Sequence, residues 1–556
     1  MKLRATIISI VSIVSFTLVA PVAAVAAMVP SAYGGTDLRA SGLTVRTSPR
    51  TPIVAKGSWP VYHRDDGHTG SDPTLPAVTG VTAGWTSPTL DDEVYASPVV
   101  YGGIVYVATL NNTVYALNQA DGSQIWATHI RAPESRSPGS PGGPSCGNVV
   151  PQGILGTPVI DPGTGRIYVT TLGSDDIYRV EGMNLASGLE TFDVIIPASI
   201  GSGFDWHIQQ ERGAMAVHNG YVYVPFGGRA GDCGNYSGWV VGVPTGGGLE
   251  KVFQTPPTGN GIWNGGGVVV DDSTGNVFVA TGNGVNNGSG DGCSADGSGN
   301  PIFQNDAVVK LSPTLTETSF FIPIDWQNNW CAIDHDLGSA APILLSPNLL
   351  FQAGKWGTGF LLNTANLGGV DGQLFPTPNG TDETADVCFG NHSDATFASF
   401  AYAAPFVYVE CENRGLVALK VDTSAHSFGI CSATCPLPDW HVDDGIQFGP
   451  PIVAAGAVWA ASDGNGLYAF RAGTGDLIYQ SGGFGINRFV TPAEAGGQVF
   501  VPAHNVILDF NMSFGVLQST PNAPQPRPTP VVQVGAPPPP SRQPVTQSTP
   551  NPPPAR

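Results

Sequence analysis

The chain has little charge and few basic groups: 12% of its 556 residues are Asp, Glu, Lys or Arg, with 23 basic against 43 acidic. The resulting net charge of −20 repels nucleic acid and anionic lipid over a Debye length, and no cluster of Lys and Arg offsets it. Nucleic-acid binding is therefore excluded. Long apolar runs are also missing beyond the first twenty residues, so no mature segment meets the roughly 20-residue requirement of a spanning helix. No apolar stripe at helical spacing is long enough for a core helix. The eight cysteines include no Cys-x-x-Cys-His segment. Cys431 and Cys435 lack the following histidine of a haem attachment, and there is no second close pair for zinc.

What is present divides into three parts. Lys2 and Arg4, the apolar run from Ile7 to about Ala20, and the small residues Ala23, Ala24, Ala26 and Ala27 have the order of an export signal. The reading is a leader over 1–27 and a mature N-terminal extension over 28–58. The alternative, a retained anchor, is opposed by the short run and by Pro21. At the other end, residues 519–556 read as a proline-rich tail without Asp or Glu. Proline removes the amide donor, so this stretch is expected to be extended and disordered, a spacer toward the envelope or an inert end. Such a chain is expected to be secreted or cell-envelope associated. Without Lys2 and Arg4 its mature form is more acidic by two charges.

An even number of cysteines in an exported chain favours disulfides, whose pairing the sequence leaves open. Most of the eight, Cys146, Cys233, Cys293, Cys331, Cys388, Cys411, Cys431 and Cys435, fall in Gly-, Asn- or Asp-rich loops, where a cross-link restrains an insertion.

Residues 59–518 are organised by an internal repeat. Its clearest copy, SPVVYGGIVYVATLNNTVYALNQADGSQIW from Ser97 to Trp126, holds three short β-branched and aromatic runs joined by tight-turn residues. A fourth run begins near Gln124. Alternation within each run suits half-buried strands, so one copy predicts a four-stranded meander. The second strand recurs eight times, around Tyr106, Tyr168, Tyr223, Phe278, Phe351, Tyr408, Trp459 and Phe500. Such sheets are marginal alone and stable when stacked radially. The last copy runs into the tail without an outer strand, while Val81–Ser87 precedes the first copy without a partner. Placing the second beside the first closes a ring, with Trp85 matching Trp126. The expectation is an all-β, eight-bladed propeller. Seven blades is the lesser count, should the copy at Phe351 or Tyr168 be misread.

This repeat resembles that of the PQQ-like propellers, the group that includes bacterial quinoprotein alcohol dehydrogenases. The stretches ERGAMAVHNGYVYVPFGGRAGDCGNYSGWVVGV, GIWNGGGVVV, DHDLGSAAPILL and FQAGKWGTGFLLN resemble exported members of that group with no assigned activity. In the dehydrogenases a quinone lies over the ring axis beside calcium, and an aspartate acts as base. The resemblance maps the calcium-binding asparagine onto Asn283 in the segment Thr281–Gly282–Asn283, and the base onto Asp334 or Asp336. Asp334 is also a candidate metal ligand, because calcium prefers carboxylate and carbonyl oxygens. Lys355 and Trp356, placed at the opening of the next blade's third strand, are candidates to contact and stack on the quinone. For all of these the alternative is structural: solvated loop carboxylates, turn residues, and a tryptophan packed between blades.

The departures from the dehydrogenases are equally specific. No two cysteines are adjacent, as they are beside the quinone in methanol-type enzymes, and there is no haem motif. The insertion from Asn283 to Asp306 lacks regular acidic spacing and reads as a disulfide-tethered excursion. Asp205, Trp206, His207 and Glu211 form a loop with neither nucleophile elbow nor close His pair. WPVYHRDDGHTG, holding Trp59, Tyr62, His63, Asp65, Asp66 and His68, reads as packing and capping. Two functions follow. The first is an exported binding or scaffold module that engages a protein, glycan or envelope partner through face loops and tail. The alternative is a calcium- and pyrroloquinoline-quinone-dependent alcohol or sugar dehydrogenase without haem.

Overall fold

Eight small antiparallel sheets follow one another along the chain, and each is built on the same cross-strand pair. The computed structural model describes residues 57–515 apart from 197–203, 257–258, 285–291, 297–298, 300, 303, 379–384, 389–391, 430–439 and 443–444. The expected leader, most of the N-terminal extension, the proline-rich tail, Cys431 and Cys435 lie outside the described residues.

Residues 99–129, 159–195, 216–254, 269–322, 343–363, 401–442, 452–480 and 493–513 make blades 1 to 8. In every blade the second-strand aromatic faces a small or branched residue of the innermost strand. The pairs run from Val99 with Tyr106 and Val159 with Tyr168 to Ile452 with Trp459 and Ala493 with Phe500. All eight aromatics are buried. Their spacing in sequence thus reports one repeated register, and a one-residue slip would turn the whole set to the wrong face.

Apolar clusters fill every junction between neighbouring blades. Separate clusters join blades 1 and 2, 2 and 3, 3 and 4, 4 and 5, 5 and 6, and 6 and 7. A larger one spans blades 7, 8 and 1. The ring is therefore complete. Its seam is the antiparallel pairing of Gly80–Thr86 with Val506–Ser513, in which Val81 faces Met512 and Ala83 faces Phe510. The N-terminal strand supplies the outer edge that the last blade lacks, as the repeat predicted.

The tryptophans at the outer edges lock these junctions. Trp126 donates its indole N–H to Leu185 O in the next blade at 3.1 Å. Trp440 donates to Ala472 O at 2.8 Å, and Trp85 of the closing strand to Gln119 O at 2.9 Å. The likeness of Trp85 to Trp126 is thus geometric as well as sequential. Each ring lies on a glycine of the facing turn. At Gly188, where φ is +70°, a Cβ would stand 2.6 Å from the Trp126 ring, so only glycine allows this approach.

Blade 5 is the least regular. It has three strands, Ile343–Ser346, Leu349–Ala353 and Gly359–Asn363, and beyond them, among the described residues, the isolated bridges Leu361–Phe375 and Thr358–Asp386. The following Gly369–Val370 pairs instead with the outer strand of blade 4. The copy around Phe351 is nevertheless a blade, and the count is eight.

Innermost strands leave a free backbone edge toward the channel, and unpaired amides and carbonyls there are costly. The segment 59–72 meets that need. Trp59 exchanges hydrogen bonds with Val100 in blade 1, and Pro60 O accepts from Ile160 in blade 2. Asp66, Gly67, Thr69 and Gly70 carbonyls accept in turn from Val270, Leu344, Tyr402 and Val453 in blades 4 to 7. Tyr62 Oη meets Thr491 Oγ1, just ahead of blade 8, at 3.1 Å. The motif WPVYHRDDGHTG thus packs and caps the channel, as expected from its sequence.

Three disulfides join the six cysteines among the described residues: Cys146–Cys233, Cys293–Cys331 and Cys388–Cys411. The second ties the insertion after Asn283 to the segment that carries Asp334 and Asp336.

Candidate ligand site at the ring axis

Loops that enter the innermost strands converge on the axis and enclose a cavity of about 350 Å³. Ser97, Thr157, Gly265, Phe397 and Phe489 line it from blades 1, 2, 4, 6 and 8, and Tyr62 of the capping segment faces it. A smaller cavity of about 190 Å³ adjoins, sharing Arg212, Trp263 and Lys355 with the first. Asn283, Asp334, Asp336 and Asp232 line this second chamber.

The structure brings four of the five proposed site residues together. Lys355 Nζ lies 2.6 Å from Asp336 Oδ2 and 3.3 Å from Asp334 Oδ1. Asn283 donates its backbone N–H to Asp336 Oδ1 at 2.7 Å, and Trp263 Nε1 approaches the same oxygen at 3.4 Å. Gly282 permits this approach, since a Cβ there would collide with the Asp336 carboxylate. The Thr281–Gly282–Asn283 segment therefore acts at Asp336 through a missing side chain and an amide.

Asp336 is presented by short helical turns, Cys331–Ile333 and Leu337–Ser339, braced by the Cys293–Cys331 disulfide. Asp306 fixes the turn from below by accepting Leu337 N–H at 3.0 Å. Burial pushes the Asp306 carboxyl well above the usual range, and the Asp336 charge adds to the rise. Burial and the Asp336 charge likewise raise Asp334. For Lys355 burial disfavours the ammonium, yet the Asp336 and Asp334 carboxylates hold it charged above its ordinary range.

Trp356 stands apart from this group. Its ring lies between His335 and His392, with centroids 4.9 and 4.8 Å away, and it packs on the blade 4–5 cluster. The aromatic wall near Lys355 is Trp263, whose ring centre lies 5.6 Å from Nζ. Lys355 itself occupies the turn between Leu349–Ala353 and Gly359–Asn363, ahead of the third strand rather than opening it.

Two arginines complete the axis and were not foreseen. Arg488 lies over Phe397 and Phe489 at 4.7 and 5.0 Å, and meets Glu412 Oε2 at 3.3 Å. Arg212 lies 6.0 Å from the Phe489 ring centre. Among the described residues no carboxylate lies within ion-pair distance of Arg212. Burial lowers its affinity for the proton, and the neighbouring Arg488 charge acts in the same direction. The available signal was positional: in a chain with few basic groups, Arg212 and Arg488 each stand just ahead of an innermost strand.

Asp336 itself does not offer calcium an open oxygen. That ion takes six to eight oxygen ligands, roughly, whereas both Asp336 oxygens already accept from Lys355, Asn283 and Trp263. A divalent ion there would have to displace the Lys355 ammonium. A planar anion is better matched, because the larger cavity offers cationic groups between aromatic faces.

A family model described as the outer membrane protein assembly factor BamB, of the PQQ-like type, matches residues 79–296. No curated protein matches the chain. Among solved structures, the quinohemoprotein alcohol dehydrogenase ADHIIG from Pseudomonas putida HK5 is similar at 15% identity, covering 84% of this chain and 82% of that one with a TM-score of 0.56. The quinohemoprotein alcohol dehydrogenase from Comamonas testosteroni is similar at 16% identity, with coverages of 84% and 83% and a TM-score of 0.54. A europium-containing methanol dehydrogenase gives 12% identity, coverages of 82% and 98%, and a TM-score of 0.57. Identities this low carry the architecture and not the activity. Residues 79–296 match a family model of the PQQ-like type, and the eight repeated blades, shared register and strand-closed seam give the chain the PQQ-like β-propeller fold.

Proposed function

We propose that the protein is an extracytoplasmic binding module whose axial cavity takes a small planar anion. The observation that carries this reading is Arg212, a cation set into the cavity without an acidic partner among the described residues. A buried charge is costly unless compensated, and an anionic ligand would supply the compensation. Arg488 and Lys355 extend the positive lining, and Tyr62, Trp263, Phe397 and Phe489 offer apolar faces to a flat molecule. The three disulfides agree with an oxidising compartment, and no helix among the described residues is long and apolar enough to cross a membrane. The assembly factor described by the matching family model agrees with non-catalytic use of the fold. Face loops and the tail would then engage an envelope, protein or glycan partner.

The test is an absorbance and fluorescence titration of the purified chain with aromatic carboxylates, pyrroloquinoline quinone among them. One saturable site is expected, weakened about tenfold or more by Arg212→Gln through loss of a charge-assisted contact. No saturable binding across the panel would sink the proposal.

A second reading, a quinone-dependent alcohol or sugar dehydrogenase, draws on the meeting of Asp336, Asp334, Lys355 and Asn283 in one chamber. Asp336 would take the substrate hydroxyl proton, with Lys355 holding its carboxylate in position. Asp336 has no oxygen open to calcium, so Asp334, exposed in the same chamber, would have to supply the carboxylate. Dye reduction with alcohols and aldoses, with quinone and calcium added, separates the readings. Turnover abolished by Asp336→Asn supports the enzyme, whereas quinone binding without turnover supports the module.

A further inference from the structure

A second gathering of charged side chains lies at the other end of the channel. Pocket residues such as Ser97, Thr157 and Phe489 precede the innermost strands, whereas His218 ends the one in blade 3 and Asp272 follows the one in blade 4. Asp66 reaches the same point from the capping segment. One carboxylate oxygen from each aspartate and one imidazole nitrogen of His218 lie within 4.8 Å of one another.

The distances have a particular size. His218 Nδ1 stands 3.5 Å from Asp272 Oδ1 and 3.7 Å from Asp66 Oδ2. These exceed the roughly 2.7–3.2 Å of an N–H···O hydrogen bond. They approach the separation of about 3.4 Å between ligand atoms held tetrahedrally about 2.0–2.2 Å from one ion. Asp272 Oδ1 is sealed from solvent and has no hydrogen-bond partner. His218 meets that oxygen only beyond hydrogen-bond length, and two carboxylates face its single imidazole, so a divalent ion between the three would balance their charge.

The backbone positions the three side chains beforehand. Asp66 O accepts the Val270 N–H at 2.8 Å, which holds the capping segment two residues from Asp272. His218 is fixed by its strand pairing with Tyr221. Asp65 is occupied elsewhere, accepting Thr69 N–H at 3.0 Å as well as the Thr69 hydroxyl. The side chains of His218, Asp66 and Asp272 are 12, 15 and 23% exposed, so the site is shielded while still reachable by an ion and a bound water.

We propose that Asp66, His218 and Asp272 form a divalent transition-metal site of the zinc class. Two carboxylates neutralise the ion, the imidazole favours a first-row transition metal over magnesium or calcium, and water completes the shell. The ion staples the capping segment to blades 3 and 4, opposite the axial cavity. Its role is structural: it fixes the segment that bears Tyr62, without touching a ligand.

The experiment uses the full chain, stripped with a chelator and titrated with zinc chloride by calorimetry, with Co²⁺ absorption as a second readout. Binding of one ion per chain is expected, together with a higher melting temperature. His218→Asn and Asp272→Asn should each weaken binding about tenfold or more and abolish the thermal gain. Arg212→Gln should leave zinc binding unchanged, which separates this site from the axial one. Absence of one-to-one binding to the wild-type chain would overturn the proposal whatever the variants do. Wild-type affinity retained in both variants would overturn it as well.

Discussion

The layer between blades and the channel at their centre obey different rules, although the same strands build both. Between blades, the same aromatic meets the same class of partner in every sector, and Trp85, Trp126 and Trp440 each dock on the next turn. In the channel the backbone contacts to the capping segment repeat, but the side chains do not. One side is covered by a single non-repetitive segment, the other holds Arg212, Trp263, Lys355 and Arg488 from different blades, and buried carboxylates recur without a common pattern. Eightfold repetition carries stability where neighbours must match. Departures from it gather where the sectors meet at the axis, because that is the one place every blade reaches.

The sharpest way to break this contrast is a large cavity in the repeated layer. Trp459 is fully buried, with its indole donating to Ala454 O at 3.1 Å. Trp459→Ala is expected to cost about 3–5 kcal/mol in urea unfolding, whereas Lys355→Met at the axis should alter ligand binding more than folding.

The next largest effect belongs to the channel side. Glu410 is buried and accepts Phe397 N–H at 2.6 Å; burial pushes its carboxyl from 4.5 to about 8, with the Glu412 charge adding. Between these values the unfolded chain releases the proton while the folded chain keeps it. Stability contributed by this group is therefore complete below about pH 4.5 and falls as pH rises toward 8, by about 1.4 kcal/mol per pH unit. Melting temperature followed against pH should show this slope, and Glu410→Gln should flatten part of it. A slope unchanged in that variant would assign it to other buried carboxylates.

Smaller effects test the docking itself. Gly188→Ala places a Cβ against the Trp126 ring at a positive φ, for an expected loss of about 1–3 kcal/mol in unfolding experiments. Trp85→Phe keeps most of the ring at the seam and removes the bond to Gln119 O, for about 1 kcal/mol. If Trp126→Phe costs the same, the seam is one more junction of the ring. A much larger loss at Trp85 would mark the seam as the weak point.

The repeated layer was legible because its signal is periodic: eight aromatic strands, turn glycines, and an orphan strand at each end of the repeat predicted both the ring and its closure. The site was legible in part. Asp334, Asp336, Lys355 and Asn283 do converge, but Asn283 works through its amide and Trp356 packs beside histidines while Trp263 takes the cavity wall. Arg212 and Arg488 gave no motif, because their importance lies in what surrounds them. Blade 5 was the hardest copy to read, since beyond its three strands the described residues pair only through isolated bridges at Phe375 and Asp386.

By itself the sequence determined blade number, register, the closing strand and the loops suited to cross-linking, since each follows from local alternation and the need to cover sheet edges. Only the tertiary structure decided which cysteines pair, that Lys355 engages both Asp336 and Asp334 in the chamber, and that Asp66, His218 and Asp272 meet. Those contacts join residues far apart in the chain, and their distances are set by ring closure, which no local pattern encodes.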